Sequence, residues 1–334
     1  MLELHLQRWF GKFERTSERL LEQSNLIIRV TNMPQLLFVG LGAMGAPMAE
    51  NLIAAGYQVT VYDLNTAALK ALEERGAQVA MSKQEAVKNA DIIVSMLPND
   101  AAVREFYIGS TGIIPFLEHK PLIIDCSTIS IETTKQVASV AAGASVPMVD
   151  APVSGGPTGA KNAALSFMVG GEPNALEAAL PVLQAMGKVI IHMGPAGAGQ
   201  AAKICNNMLA AIIMAATAEA IALGVRNGLD PTLLCNVIKN SSGGSFLVER
   251  WNPWPGVQQD APSSNNYNGG FQLQLMLKDL NLAMANAEVT KSFTPFGALS
   301  KNLYTLRSHE SPDALIKDFS YIQTLFTSIG NVGP

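Results

Sequence analysis

Charge is scarce in this chain. Of its 334 residues only 15% are Asp, Glu, Lys or Arg, and the formal net charge is −4. No basic cluster occurs, which excludes the electrostatic footprint of a nucleic-acid partner. Cysteine is scarcer still: Cys126, Cys205 and Cys235 are odd in number, far apart and without a CxxC pair. That spacing argues against a disulfide framework and fits a reducing compartment. The four histidines, His5, His119, His192 and His309, have no ligand spacing, so no metal site is expected. Apolar residues fill the space left by charge, at 48%. The length suffices for two domains, each with its own core. So little charge is unusual for a soluble monomer, and part of the surface is expected to lie under a partner subunit.

One apolar run, 204–225, has the length of a membrane span. Asn206, Asn207 and Glu219 interrupt it, and each is costly in lipid. The run is read as a buried interdomain helix, with no membrane partner. Residues 1–32 precede the first strand of the fold and form an extension of uncertain role. Arg8, Lys12, Arg15 and Arg19 on an amphipathic helix would fit a mitochondrial presequence. Glu3, Glu14, Glu18 and Glu22 argue against it, because transit peptides are poor in acids. Met33 would itself make a plausible start. The expected location is the cytoplasm of a bacterium, with the mitochondrial matrix as the alternative.

"QLLFVGLGAMGAPMAENLIAAGYQVTVYDLN" is the most informative early stretch. An apolar strand run, 36–39, leads into Gly40, Gly42 and Gly45 in GxGxxG spacing. A helical pattern follows, then a second strand closed by Asp63. Strand, glycines, helix and acid in that order are the context that a dinucleotide-binding reading requires. Gly40 permits the tight turn, Gly42 lets a pyrophosphate approach the backbone, and Gly45 lets the helix lie close to the strand. Leu41, Ala43 and Met44 complete the cofactor loop. Asp63 can accept from ribose hydroxyls and would repel a 2′-phosphate, so the expected cofactor is NAD rather than NADP. Two further strands, "ADIIVSMLP" ending at Pro98 and "PLIIDCST" ending at Ser127 and Thr128, bring Leu97, Pro98 and Thr128 to the carboxyl edge as candidates for the nicotinamide half. "SVPMVDAPV", "ALSFMVGG" and "KVIIHMG" supply more strands. After Gly197 strand patterns stop and the rest reads as helices, with Asp230 and Pro231 as one helix start. The expected fold is therefore α/β: a Rossmann dinucleotide-binding domain over 33–196, joined by a long interdomain helix to an all-α substrate and oligomerisation domain over 197–330.

Three places can carry chemistry. In "DAPVSGGPTGA", Ser154, Gly155 and Gly156 form either a carboxylate-binding nest or a plain turn. In "GPAGAGQAAKICNN", Lys203 is the only charged side chain between His192 and Glu219. Asn207 at i+4 shares its face, and Gly199 at i−4 is read as keeping that face open. A lysine in apolar surroundings loses solvation of its ammonium, which brings its pKa towards an acid–base catalyst's range. The alternative is a buried lysine paired with a distant acid. Lys278 and Asp279 are the only charges between Asp260 and Glu288. They form either a buried ion pair or an ammonium held near a ligand. The long loop "WNPWPGVQQDAPSSNNYNGG" is of a length that often signals function.

Four motifs in register, "FVGLGAMG", "DAPVSGG", "GPAGAGQAAKICNN" and "KDLNLA", make the chain from Met33 onward resemble the β-hydroxyacid dehydrogenase family. The resemblance implies a small 3-hydroxy acid as substrate and NAD as cofactor. It further implies Lys203 as the catalytic lysine, and Ser154, Gly155 and Gly156 as the hold on the substrate carboxylate. Asn207 becomes a substrate contact, and Lys278 a residue facing both substrate and cofactor. It implies a homodimer or homotetramer. Two alternatives stay open: a sister enzyme acting on tartronate semialdehyde or a longer β-hydroxy acid, and a non-catalytic NAD-binding module.

Overall fold

The apolar run after Met33 forms strand β1 (Gln35–Val39), an interior strand of a nine-stranded sheet in the computed structural model, which describes residues 33–328. The extension 1–32 read from the sequence lies outside the described residues. The other strands are β2 (Gln58–Tyr62), β3 (Gln78–Val79), β4 (Ile92–Ser95), β5 (Leu122–Asp125), β6 (Met148–Asp150), β7 (Val153–Ser154), β8 (Leu165–Gly171) and β9 (Gly187–Gly194). Between them run helices α1 (Gly45–Ala54), α2 (Thr66–Glu73), α3 (Lys83–Val87), α4 (Asp100–Tyr107), α5 (Ile131–Gly143), α6 (Gly156–Lys161) and α7 (Pro173–Met186). The order is β3-β2-β1-β4-β5-β6-β8-β7, with β9 beside β8. The first six strands are parallel, and β8 runs antiparallel to both β6 and β7.

Parallel strands covered on both faces must be apolar throughout. In β1, Leu36 and Phe38 pack into one core with Met48 and Leu52 of α1, while Leu37 and Val39 enter the other with Val103 and Val137. The chain leaves β1 to one side for β2 and returns on the other side as β4. That reversal opens a crevice at the carboxyl ends of β1 and β4, the usual place for a ligand in such sheets. Two strands stop sooner than the sequence reading set them. β4 ends at Ser95 and β5 at Asp125, so Leu97, Pro98 and Thr128 stand on loops just beyond the sheet edge. β3 and β7, two residues each, carry no periodicity to read.

From Ala198 onward the described residues form helices: α8 (Ala198–Arg226), α9 (Pro231–Lys239), α10 (Phe246–Arg250), α11 (Leu273–Thr290), α12 (Pro295–His309) and α13 (Gln323–Ser328), with short 3-10 turns between. By length and composition α8 is apolar enough to cross a membrane. Its start lies against β8, and α11, α12 and α13 pack along it. Ala211, Met214 and Ala218 of α8 share a core with Leu273, Met276, Leu280, Tyr304 and Phe319. At 1.5 Å per residue α8 is about 43 Å long, long enough to start on the sheet and end in the helical region.

The start of α8 is fixed by two buried polar residues. Its N-cap, Gly197, has no capping side chain of its own. Asp150, at the end of β6, supplies one: Oδ1 accepts from Gly197 N at 2.7 Å and Oδ2 from Gln200 N at 3.0 Å. The Gln200 side chain then brackets the loop after β5, donating to the Ser127 carbonyl at 2.7 Å and accepting from Ile129 N at 3.2 Å. Gly199 corrects the sequence reading. A Cβ there would meet the Asp150 carboxylate at 2.7 Å and press on the Met168 carbonyl. Its lack of a side chain serves the contact of α8 with the sheet rather than an open catalytic face.

Candidate active site

The glycine loop after β1 has the form a pyrophosphate needs. Gly40 has φ +89°, and a Cβ on it would collide with the Met96 carbonyl beyond β4. Gly45 lies so close to the Gly40 carbonyl that any side chain would displace the helix from the strand. Gly42 differs: it is exposed, and a Cβ there would meet nothing within 4 Å. The open space over Gly42 is what a cofactor backbone would fill. The helix start agrees: α1 has no capping side chain and no acid in its first turn. Among the described residues, the amides of Gly42, Ala43 and Met44 make no hydrogen bond. Free amides and the positive end of the helix dipole suit an anion. Asp63 sits beside this loop, accepting from Leu41 N at 2.5 Å and Asn65 N at 2.7 Å. The residues present therefore fit a dinucleotide.

Leu97 and Thr128 are half-buried on the loops after β4 and β5, and Pro98 is exposed. A network beneath them went unread in the sequence. Asp125 is fully buried, and its Oδ1 accepts from the hydroxyls of Ser95 at 2.8 Å and Ser127 at 2.6 Å. Ser127 Oγ in turn accepts from Leu97 N at 2.8 Å, which ties the two loops together. Tyr107 donates to Ser95 at 2.8 Å. Burial raises the Asp125 pKa to about 6, against the hydrogen bonds that lower it. The sequence signal was an acid at the end of an apolar strand run.

Lys203 stands one turn into α8, 7% exposed. Among the described residues its ammonium has no hydrogen-bond partner. Burial lowers its pKa to about 8, the nearby Asp279 charge opposes that shift, and Lys278 adds to it. Among the described residues no carboxylate lies within ion-pair distance of Lys203, and the acid whose charge reaches it, Asp279, is bonded elsewhere. Asp279 spends Oδ2 on Asn207 Nδ2 at 2.5 Å, and its Oδ1 faces Lys278 Nζ at 3.5 Å. Lys278 donates to the Thr128 carbonyl at 2.7 Å. Lys203, Asn207, Lys278, Asp279 and Thr128 are therefore brought together, and α11 meets the cofactor-side loop through one lysine. Asn207 Oδ1 also accepts from Asn206 at 3.0 Å. Each end of its amide keeps one further hydrogen-bonding position.

The 154–156 stretch forms the end of β7 and the turn into α6. Ser154 is half-buried, and Gly155 and Gly156 have φ +131° and +61°. Those angles account for both glycines by turn geometry. The long loop is held by Asp318, which accepts from Trp251 Nε1 at 3.0 Å and Phe271 N at 2.7 Å. Trp254 and Tyr267 are buried, so its aromatics pack within the helical region.

Comparison with known proteins fits this arrangement. Residues 35–194 match the family model of the NAD binding domain of 6-phosphogluconate dehydrogenase. Residues 197–322 match the NAD-binding domain of NADP-dependent 3-hydroxyisobutyrate dehydrogenase. A 3-hydroxyisobutyrate dehydrogenase of Pseudomonas aeruginosa is 50% identical over 294 residues, 88% of this chain and 99% of the relative. The chain belongs to the 3-hydroxyisobutyrate dehydrogenase family. An NAD-dependent L-serine dehydrogenase of the same organism is 46% identical, over 88% of this chain and 98% of the relative. The solved structure of the Mycobacterium tuberculosis 3-hydroxyisobutyrate dehydrogenase with L-serine superposes with a TM-score of 0.83. It is 39% identical over 88% of this chain and 99% of that one. Family membership makes the chain an NAD-binding oxidoreductase with a Rossmann domain and a helical domain.

Proposed function

We propose that the protein oxidises (S)-3-hydroxyisobutyrate to methylmalonate semialdehyde with NAD, a step of valine breakdown, and that Lys203 is its general base. The observation that carries this is a buried lysine without a hydrogen-bond partner among the described residues, one turn from Asn207, on the helix whose Gln200 holds the loop at Ser127 and Ile129. The loop 40–45, Asp63, Leu97, Pro98, Thr128 and Lys278 would hold the cofactor, which supplies the hydride acceptor when bound. The turn of Ser154, Gly155 and Gly156 would hold the substrate carboxylate. Neutral Lys203 takes the hydroxyl proton on Nζ. Asn207, anchored by Asp279, fixes the hydroxyl in line. In the reverse direction the Lys203 ammonium returns that proton.

L-serine is the second reading, favoured by one relative's name and by the ligand in one solved structure. Serine carries an ammonium where hydroxyisobutyrate carries a methyl. That ammonium would need an acid, and Asp279 is already engaged by Asn207 and Lys278. The Lys278 ammonium close by also disfavours a second cation. Asp63 supports NAD over NADP, because its carboxylate beside the loop repels a 2′-phosphate.

A homodimer or homotetramer remains our reading of the assembly. It is supported by exposed apolar side chains on the helical region, among them Leu209, Leu233, Val237, Phe293 and Phe296. We place the protein in the cytoplasm and away from membranes. Replacement of Lys203 by alanine, with turnover and NAD affinity measured separately, tests the central assignment.

A further inference from the structure

Asp279 touches more of the site than any chemistry proposed so far requires. It is 2% exposed, on a helix whose neighbouring turns are apolar. One carboxylate oxygen accepts from Asn207 on α8, and the other faces Lys278 without accepting a hydrogen bond from it. Lys278 spends its hydrogen bond on Thr128, across the boundary between sheet and helices. Asn207 follows Lys203 by one helical turn, so the carboxylate reaches the face that bears Lys203 without pairing with it. The other carboxylate packed against this end of α8, Asp150, has both oxygens on backbone amides.

We propose that Asp279 and Lys278 act as opposed positioning residues for Lys203: the carboxylate anchors Asn207 and supplies a counter-charge to the Lys203 ammonium, and the Lys278 ammonium works against it. This rests on the reading of Lys203 as the base. Burial alone would strip the Lys203 proton readily; Asp279 restrains that, and Lys278 assists it. The pair thus sets the pH at which the base becomes available. It also links that pH to the cofactor-side loop through the contact of Lys278 with Thr128.

Asp279→Asn keeps an oxygen for Asn207 but removes the counter-charge, so Lys203 gives up its proton at lower pH. Lys278→Met removes a like charge, so Lys203 keeps its proton to higher pH. The test is the pH profile of kcat/KM for oxidation at saturating NAD, with circular dichroism to confirm folding. We expect the rising limb to move down by about one pH unit in Asp279→Asn and up by about one in Lys278→Met, the low end of what one adjacent charge does. A residue that only supports packing would lower the rate and leave the limb in place. Limbs that stay put, or move in the same direction, overturn the proposal. Should Asp279→Asn fail to fold, the upward shift in Lys278→Met decides alone. The two failures separate: a Lys203→Ala enzyme that still turns over removes the base assignment, whereas an inactive one with unmoved limbs removes only the opposed pair.

Discussion

At the scale of single residues, the chemistry turns on one proton. Lys203→Ala should lower turnover by roughly 10²–10⁴-fold, the usual contribution of a general base, and leave NAD affinity, measured by fluorescence titration, within a few-fold. In the oxidative direction the base must be neutral. With the Lys203 pKa lowered to about 8 by burial, kcat/KM for oxidation should climb from pH 6 and level off above pH 8. A profile flat across that range would contradict the assignment. Asp63→Ala combined with Leu64→Arg should move preference towards NADP, read as the ratio of kcat/KM for the two cofactors. The burial of Lys203 was legible because a lone charge in an apolar helix has no surface explanation. Asp279 was visible for the same reason, but its partners were not. Nothing in the sequence says that Asn207, 72 positions away, would be the group it holds.

Elements place those residues. The GxGxxG loop was legible because its glycines stand between a strand and a helix, and the structure gives each its own task. Gly45→Ala should destabilise the fold by about 1–3 kcal/mol, since a methyl there meets backbone. Gly42→Ala has room, so its melting temperature should hold or rise slightly while NAD affinity falls. Equal losses of stability in the two variants would contradict the separation of roles. The clamp on α8 was not legible. Asp150 and Gln200 are 50 residues apart and meet only once β6 and α8 are packed. Asp150→Asn leaves one acceptor where the amides of Gly197 and Gln200 converge on two. It should cost about 1–2 kcal/mol in denaturant titration, as a lost helix cap does, and reduce kcat because α8 carries Lys203. The reading of Gly199 failed for a related reason: helix periodicity gives a face, but not what is pressed against it.

For the whole molecule, the sequence made the succession of a sheet domain and a helical domain readable, because short apolar runs bounded by turn residues give way to long helical stretches. It did not reveal the two-residue strands or where α8 meets the sheet, which depend on contacts distant in sequence. Substrate identity belongs to this scale, since the proposed carboxylate turn and the proposed base come from separate parts of the chain. A methyl branch discriminates by only about 1–3 kcal/mol, so related acids should be slow substrates rather than excluded ones. Side-by-side initial rates with NAD on (S)-3-hydroxyisobutyrate, L-serine, 3-hydroxypropionate and D-glycerate test the account most directly. It predicts the highest kcat/KM for (S)-3-hydroxyisobutyrate, by roughly 10-fold or more over the others. A preference of that size for L-serine or D-glycerate would contradict it.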